Sequence, residues 1–245
     1  VTGRVYLVGA GPGDPGLMTL KGLELLRAAD VVVFDALLSK ELLDECRDAE
    51  LIDVGKRGGN HKKTQQEINA LLVELGKQDK ITVRLKGGDP FLFGRGAEEV
   101  RELRGAGIEV HVVPGVTSAI SVPELAGIPV THRNHSSNVT FLTGHLRADG
   151  QNQTNWKALV ESNGTIVILM GMENAKAISE ELISAGASPD TEAAVIVDGS
   201  SEKQRIMTTT LEYLPAGIEK EGLKAPGIIV IGSVVKESMI LGDLR

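Results

Sequence analysis

Short runs of β-branched residues alternate with segments of helical period along almost the whole chain, the pattern of sheets whose faces are covered by helices. The pattern predicts strands over 4–9, 30–34, 81–85 and 108–113, and helices over 19–28 and 96–104. The clearest helix begins at Thr64: Glu67 completes a capping box, and Ile68, Leu71, Leu72 and Leu75 recur at i, i+3, i+4 and i+7. From Asn138 the alternation restarts, with strands near 139–142, 165–170, 193–197, 205–209 and 228–231 and helices between most of them. Asn174 is the expected cap of a helix running to Ser184, with Gly186 just past its end. The fold class is therefore α/β with parallel sheets, in two domains, 1–113 and 136–245. The segment 114–135 is expected to line a cleft between them, where ligands commonly bind.

Composition narrows the function. With 42% hydrophobic residues in 245, the chain can bury a substantial core, and 29 glycines against one Trp, two Tyr and four Phe suit a loop-rich enzyme better than a protein-binding face. The longest strongly apolar stretch, 165–172, is too short to cross a bilayer, and no basic region with an apolar core opens the chain, so a cytoplasmic protein without a membrane partner is expected. Cys46 is the single cysteine; it permits no intrachain disulfide and no cysteine-based metal cluster, and its charged neighbours predict a free surface thiol. A net charge of −7 argues against a nucleic-acid partner. Two stretches depart from that acidity. Between Asp53 and Glu67 lie Lys56, Arg57, His61, Lys62 and Lys63 with no carboxylate; between Glu124 and Asp149 lie His132, Arg133, His135, His145 and Arg147, again with none. Two such windows on an acidic protein point to a confined polyanion site.

The turn Gly9-Ala10-Gly11-Pro12-Gly13-Asp14-Pro15-Gly16 follows a strand but is no dinucleotide fingerprint, because Asp14 stands where the third glycine belongs and two prolines remove amide donors. Lys86-Gly87-Gly88-Asp89 through Gly96 lacks P-loop spacing. Paired glycines before an aspartate suit a cationic, hydroxylated ligand gripped by backbone carbonyls and one carboxylate, such as an adenosyl sulfonium.

These runs occur in order with Gly55-Lys56-Arg57, Val113 through Ser118, Ala126 through Arg133, Thr143-Gly144-His145 and Met170-Gly171. The ordered set spans essentially the whole chain and resembles the uroporphyrinogen-III C-methyltransferases. The resemblance implies a non-Rossmann tetrapyrrole methylase architecture with the site between two α/β domains, a homodimer, and S-adenosylmethionine as cofactor. Two successive methylations of uroporphyrinogen III, through precorrin-1 to precorrin-2, are implied for sirohaem- or cobalamin-type biosynthesis. Position by position, it implies cofactor contacts at Pro12, Gly87, Gly88, Asp89, Leu92, Thr117, Ser118, Met170 and Gly199, and catalytic roles for Asp35 and Lys56. Arg57, Arg95, His132, Arg133 and His145 are candidates to bind the substrate's carboxylate arms, Arg133 foremost because a guanidinium fork matches a carboxylate. No metal is expected, and no dehydrogenase or chelatase domain. Taken alone, Asp35 could cap a following helix, Lys56 could be surface charge, and Met170 could be core packing. The chain departs from the family pattern at Phe34, where Tyr is frequent, at Pro123-Glu124-Leu125, and at Glu192, often Pro. Glu124 would repel a polycarboxylate unless turned away. Other substrates consistent with the same cofactor motifs are a later corrin intermediate, ribosomal RNA or a translation factor; a non-enzymatic tetrapyrrole carrier would not need those motifs.

Overall fold

A computed structural model describes residues 3–35, 39–55, 63–144 and 154–245. Its internal contacts divide the chain into two compact units, Val1–Thr117 and Ser118–Arg245. In the first, β1 (Arg4–Gly9), β2 (Val31–Phe34), β3 (Glu50–Asp53), β4 (Ile81–Lys86) and β5 (Glu109–Val113) form a sheet of order β3-β2-β4-β1-β5. Every pairing is parallel. A parallel sheet must be covered on both faces, and the strands are accordingly apolar on both. Val5, Leu7, Val31 and Val33 pack against Ile68, Leu72 and Leu75 of α3 (Gln65–Gly76) and Leu103 of α4 (Gly96–Gly105). Val8, Val32, Phe34 and Leu85 pack on the other face with Leu26 of α1 (Leu20–Arg27) and Leu42 of α2 (Lys40–Asp44). The capping box at Thr64 is formed, with Thr64 N–H donating to Glu67 Oε2 at 2.6 Å and Glu67 N–H to Thr64 Oγ1 at 3.2 Å.

Cys46 is not a surface thiol. It lies just past α2 and is buried in this second core cluster, its Sγ 3.6 Å from the Leu42 carbonyl. Charged neighbours in sequence point outward, while one turn of chain carries the small side chain in. Burial, and secondarily the Glu45 carboxylate, push its pKa up to about 11.

The second unit begins with α5 (Ser118–Leu125), so the segment expected as a connection carries a helix of its own. Its sheet has the order β6-β7-β10-β8-β9, formed by β6 (Val139–Thr143), β7 (Thr165–Leu169), β8 (Glu192–Val197), β9 (Arg205–Thr210) and β10 (Gly227–Ile231). Only β6 and β7 run parallel; the other three pairings are antiparallel, which corrects the expectation of a second parallel sheet. The cause is the connection 198–204, which holds no helix and returns β9 directly beside β8 as a hairpin. Helices α6 (Trp156–Glu161), α7 (Ala175–Ser184) and α8 (Leu214–Glu221) help close a core of Ile166, Ile168, Ile178, Leu182, Val195, Met207 and Ile229, and α9 (Ser238–Leu241) follows β10. Asn174 precedes α7 as expected but makes no side-chain cap; its Nδ2 donates instead to the Gly144 carbonyl at 2.7 Å.

Candidate active site

Parallel strands deliver all their outgoing loops to one sheet edge, where ligands of open α/β sheets bind. In the first unit that edge gathers the turn after β1, Asp35 after β2, Gly87-Gly88-Asp89 after β4 and Pro114–Thr117 after β5. Glycines are required here because three backbones touch. Gly11 and Gly88 form an antiparallel bridge, with Gly88 N–H donating to the Gly11 carbonyl at 2.7 Å. A Cβ on Gly115 would stand 2.2 Å from the Gly88 oxygen and 2.7 Å from Gly9 Cα, and one on Gly9 would stand 2.5 Å from Gly115 Cα. Gly87 differs. It is exposed, and a Cβ there would meet nothing within 4 Å among the described residues, so nothing in their packing demands a glycine.

Asp89 stitches this edge together. Its Oδ1 accepts from the amides of Phe91 (2.8 Å) and Leu92 (3.2 Å), and its Oδ2 from Gly115 at 3.1 Å, tying the β4 loop to the β5 loop. Arg95 begins α4 in the left-handed region (φ 57°) and forks onto Glu98, at 3.0 and 2.6 Å, in the helix's own first turn. That hydrogen bond raises the Arg95 pKa, so this candidate anion binder has an exposed carboxylate partner already.

Behind the edge lies a charge cluster that the sequence reading missed. Thr82, Arg84 and Lys86 share the α3–α4 face of β4, opposite Val5, Leu7 and Gly9 of β1. Arg84 Nη2 donates to both oxygens of Asp35 at 3.0 Å, and Arg84 Nε to Glu99 Oε1 at 3.3 Å. Lys86 Nζ (3.0 Å) and Gln65 Nε2 (3.2 Å) converge on the same Glu99 oxygen. Burial first, and Arg84 second, hold the Lys86 ammonium below its ordinary pKa, while Glu99 and Asp35 oppose the shift. The signal was present: alternate charged residues on a central strand must find buried partners. Asp35 does not cap α2, a role taken by Ser39.

In the second unit, Thr143-Gly144, Met170-Gly171 and Asp198-Gly199-Ser200 follow β6, β7 and β8 at one end of the sheet. Gly144 packs on Gly171, where an added Cβ would stand 2.2 Å from Gly171 Cα. Met170 is 43% exposed and holds φ 55°, a left-handed conformation that costs a non-glycine residue about 1–3 kcal/mol. Gly199 is explained by packing, since its Cβ would lie 2.4 Å from Val122 Cγ1 of α5. Ser118 opens that helix. Glu124 is exposed. Glu192 pairs with Lys236 at 2.5 Å; burial pushes its pKa up, but the Lys236 ammonium and a backbone amide outweigh that and leave it lowered.

The second acid-free window is not acid-free in space: His135 Nε2 lies 2.8 Å from Glu237 Oε1, more than a hundred residues on, with the His132 ring 5.0 Å from that of His135. Among the described residues this trio has metal-ligand spacing, its ligand atoms within 4.8 Å of one another. The His135–Glu237 hydrogen bond already satisfies the facing atoms. Arg133, in the same turn, is exposed. Lys56, Arg57 and His145 lie outside the described residues.

A glycine-lined edge with a carboxylate anchored beside it is the kind of sheet edge at which open α/β proteins bind small molecules. The chain belongs to the tetrapyrrole (corrin/porphyrin) methylases, whose family model matches residues 4–215. It is 50% identical, over 96% of its length and 98% of the relative's, to the uroporphyrinogen-III C-methyltransferase of Methanocaldococcus jannaschii. It is 49% identical over 96% of its length to a siroheme synthase of Thiobacillus denitrificans, of which it covers 49%; the chain thus spans about half the length of several curated relatives it matches. The uroporphyrin-III C-methyl transferase of Thermus thermophilus, solved in complex with S-adenyl homocysteine, superposes with a TM-score of 0.81 at 37% identity, covering 96% of this chain and 94% of that one. No helix among the described residues is long and apolar enough to cross a membrane.

Proposed function

We propose that this chain transfers methyl groups from S-adenosylmethionine to carbon atoms of uroporphyrinogen III, twice in succession, giving precorrin-2 by way of precorrin-1. The observation that carries the reading is the end-to-end match to a relative of nearly the same length that is named for this activity. The product would enter sirohaem- or cobalamin-type biosynthesis. A homodimer accompanies the proposal on the strength of the resemblance, and a cytoplasmic location is proposed with it.

The residues fit the cofactor. Gly87 leaves its backbone open beside Gly88, whose φ of 65° turns the chain back, and Asp89 holds that turn through three amides. Pro12, Gly87, Gly88, Asp89 and Leu92 are proposed as cofactor contacts in the first unit, with Thr117, and Ser118, Met170 and Gly199 in the second. Bound S-adenosylmethionine supplies an electrophilic methyl on a sulfonium sulfur. The tasks left to the chain are to align the attacking pyrrole carbon and to exclude water, which lowers the barrier by several kcal/mol without acid–base help. Asp35 accepts from the pyrrole N–H groups or takes the proton released after transfer, with Lys56 as its proposed catalytic partner. Arg57, Arg95, His132, Arg133 and His145 are proposed to bind acetate and propionate arms; Arg95 would do so by exchanging Glu98 for a substrate carboxylate.

The test is anaerobic incubation with uroporphyrinogen III and methyl-labelled S-adenosylmethionine, following label transfer and product mass. Two methyl additions per macrocycle are expected. Binding of S-adenosylhomocysteine without transfer redirects the search to later corrin intermediates, and a folded chain that binds neither ligand refutes the proposal.

A further inference from the structure

We propose that Arg84 is a positioning residue for the methyl transfer, fixing the orientation of the Asp35 carboxylate, and that Glu99 is the counter-ion that locks Arg84 in place. This rests on the reading of Asp35 as the group that meets the tetrapyrrole. The geometry is complete at every donor. A guanidinium has five N–H groups. Nε faces Glu99 Oε1 at 3.3 Å, Nη1 faces the carbonyls of Val33 (3.5 Å) and Leu85 (3.4 Å), and Nη2 faces both Asp35 oxygens at 3.0 Å. A guanidinium with an acceptor at each of its three nitrogens cannot turn without abandoning one, so the nitrogen that meets both Asp35 oxygens is held in place and keeps the carboxylate drawn to that point. A lysine could supply the charge but not the plane.

Fold stability alone does not account for this arrangement. Buried ion pairs are often no better than apolar side chains of similar volume, and Arg84 sits in register with Leu7 and Val33, where another apolar residue would pack. Among the described residues Glu99 even keeps one oxygen without a partner while three donors crowd the other. What the cluster achieves is directional. Glu99, Arg84 and Lys86 have side chains 0%, 2% and 6% exposed, whereas that of Asp35 is 38% exposed, at the sheet edge where the ligand loops gather. A buried scaffold thus presents one carboxylate at a set angle. Misplacing a reacting or orienting group by about 1 Å costs about a hundredfold in rate.

The experiment is a double-mutant cycle on the full chain with R84K, D35N and the R84K/D35N pair. It measures kcat and KM for uroporphyrinogen III, S-adenosylhomocysteine affinity and thermal midpoint, with label transfer over long incubations to read low rates. R84K is expected to fold, to bind S-adenosylhomocysteine within about twofold of the parent, and to lose about ten- to a hundredfold in kcat. In the D35N background the same change is expected to cost nothing further, because Arg84 acts through Asp35. Losses that multiply, or R84K at full kcat while D35N is slow, overturn the positioning role alone. D35N at full rate overturns the assignment of Asp35 and the positioning with it. If R84K does not fold, E99Q runs the same cycle: a several-fold loss in kcat that vanishes in the D35N background is expected, and a loss that persists there overturns the proposal.

Discussion

Replacing Gly87 by alanine tests whether this glycine is kept for a ligand, as proposed, rather than for the fold. Apart from its two chain neighbours, no atom of the described residues lies within 4 Å of the added methyl group, and Gly87 is outside the left-handed region. Stability should therefore be unchanged or rise by about 0.4–1 kcal/mol, because alanine has less backbone freedom to lose on folding. If the cofactor lies against this backbone, the methyl group instead intrudes on bound ligand. An overpacking cost of about 1–3 kcal/mol corresponds to about a 5- to 150-fold weaker dissociation constant. Gly115→Ala supplies the contrast: its methyl group would stand 2.2 Å from the Gly88 carbonyl oxygen, a backbone atom that cannot swing aside, so it should destabilise by about 1–3 kcal/mol or more. Calorimetric titration with S-adenosylhomocysteine and urea unfolding of both variants read the two quantities. Unchanged affinity in a well-folded Gly87→Ala chain would show that the open space at this position does not belong to the ligand, and a large stability loss there would show that it is not open.

Three further outcomes follow from the same geometry. Glu99→Ala leaves Arg84 and Lys86 buried with one carboxylate fewer and should cost about 3–5 kcal/mol in urea unfolding; a loss under 1 kcal/mol would mean that Glu99 does not neutralise the cluster. The Cys46 thiol, its pKa raised from 9.0 to about 11, should resist a thiol-exchange reagent at pH 8 until the chain unfolds; its contribution to stability is fully present below pH 9 and is lost as pH rises through 11, and rapid labelling of the folded chain would contradict its burial. Met170→Gly should relieve a left-handed backbone and raise the thermal midpoint while weakening S-adenosylhomocysteine binding; a lowered midpoint would show that the methionine side chain contributes more than the backbone strain costs.

The sequence by itself determined the class of fold and where its first strands and helices lie, because both are local. Alternating apolar runs mark β1, β4 and β5, and the Thr64–Glu67 box starts α3 through bonds between residues three apart. The motifs that carry the family resemblance were legible for the same reason, each being a short run of loop chemistry. Tertiary structure decided what depends on residues distant in the chain. The short connection 198–204 made the second sheet mostly antiparallel, which helix-and-strand alternation cannot reveal. One turn of chain carried Cys46 inward among charged neighbours. The acid-free window around His135 acquired Glu237 from the far end of the chain. Arg84 falls in the predicted strand 81–85 and Lys86 heads the glycine-rich run after it; only α4 brings Glu99 over them, and Asp35 takes its bearing from a side chain 49 residues away. Local periodicity reports which face of an element is apolar; which charges meet across a buried face is set only when separate elements pack, since long-range pairing leaves no period in the sequence.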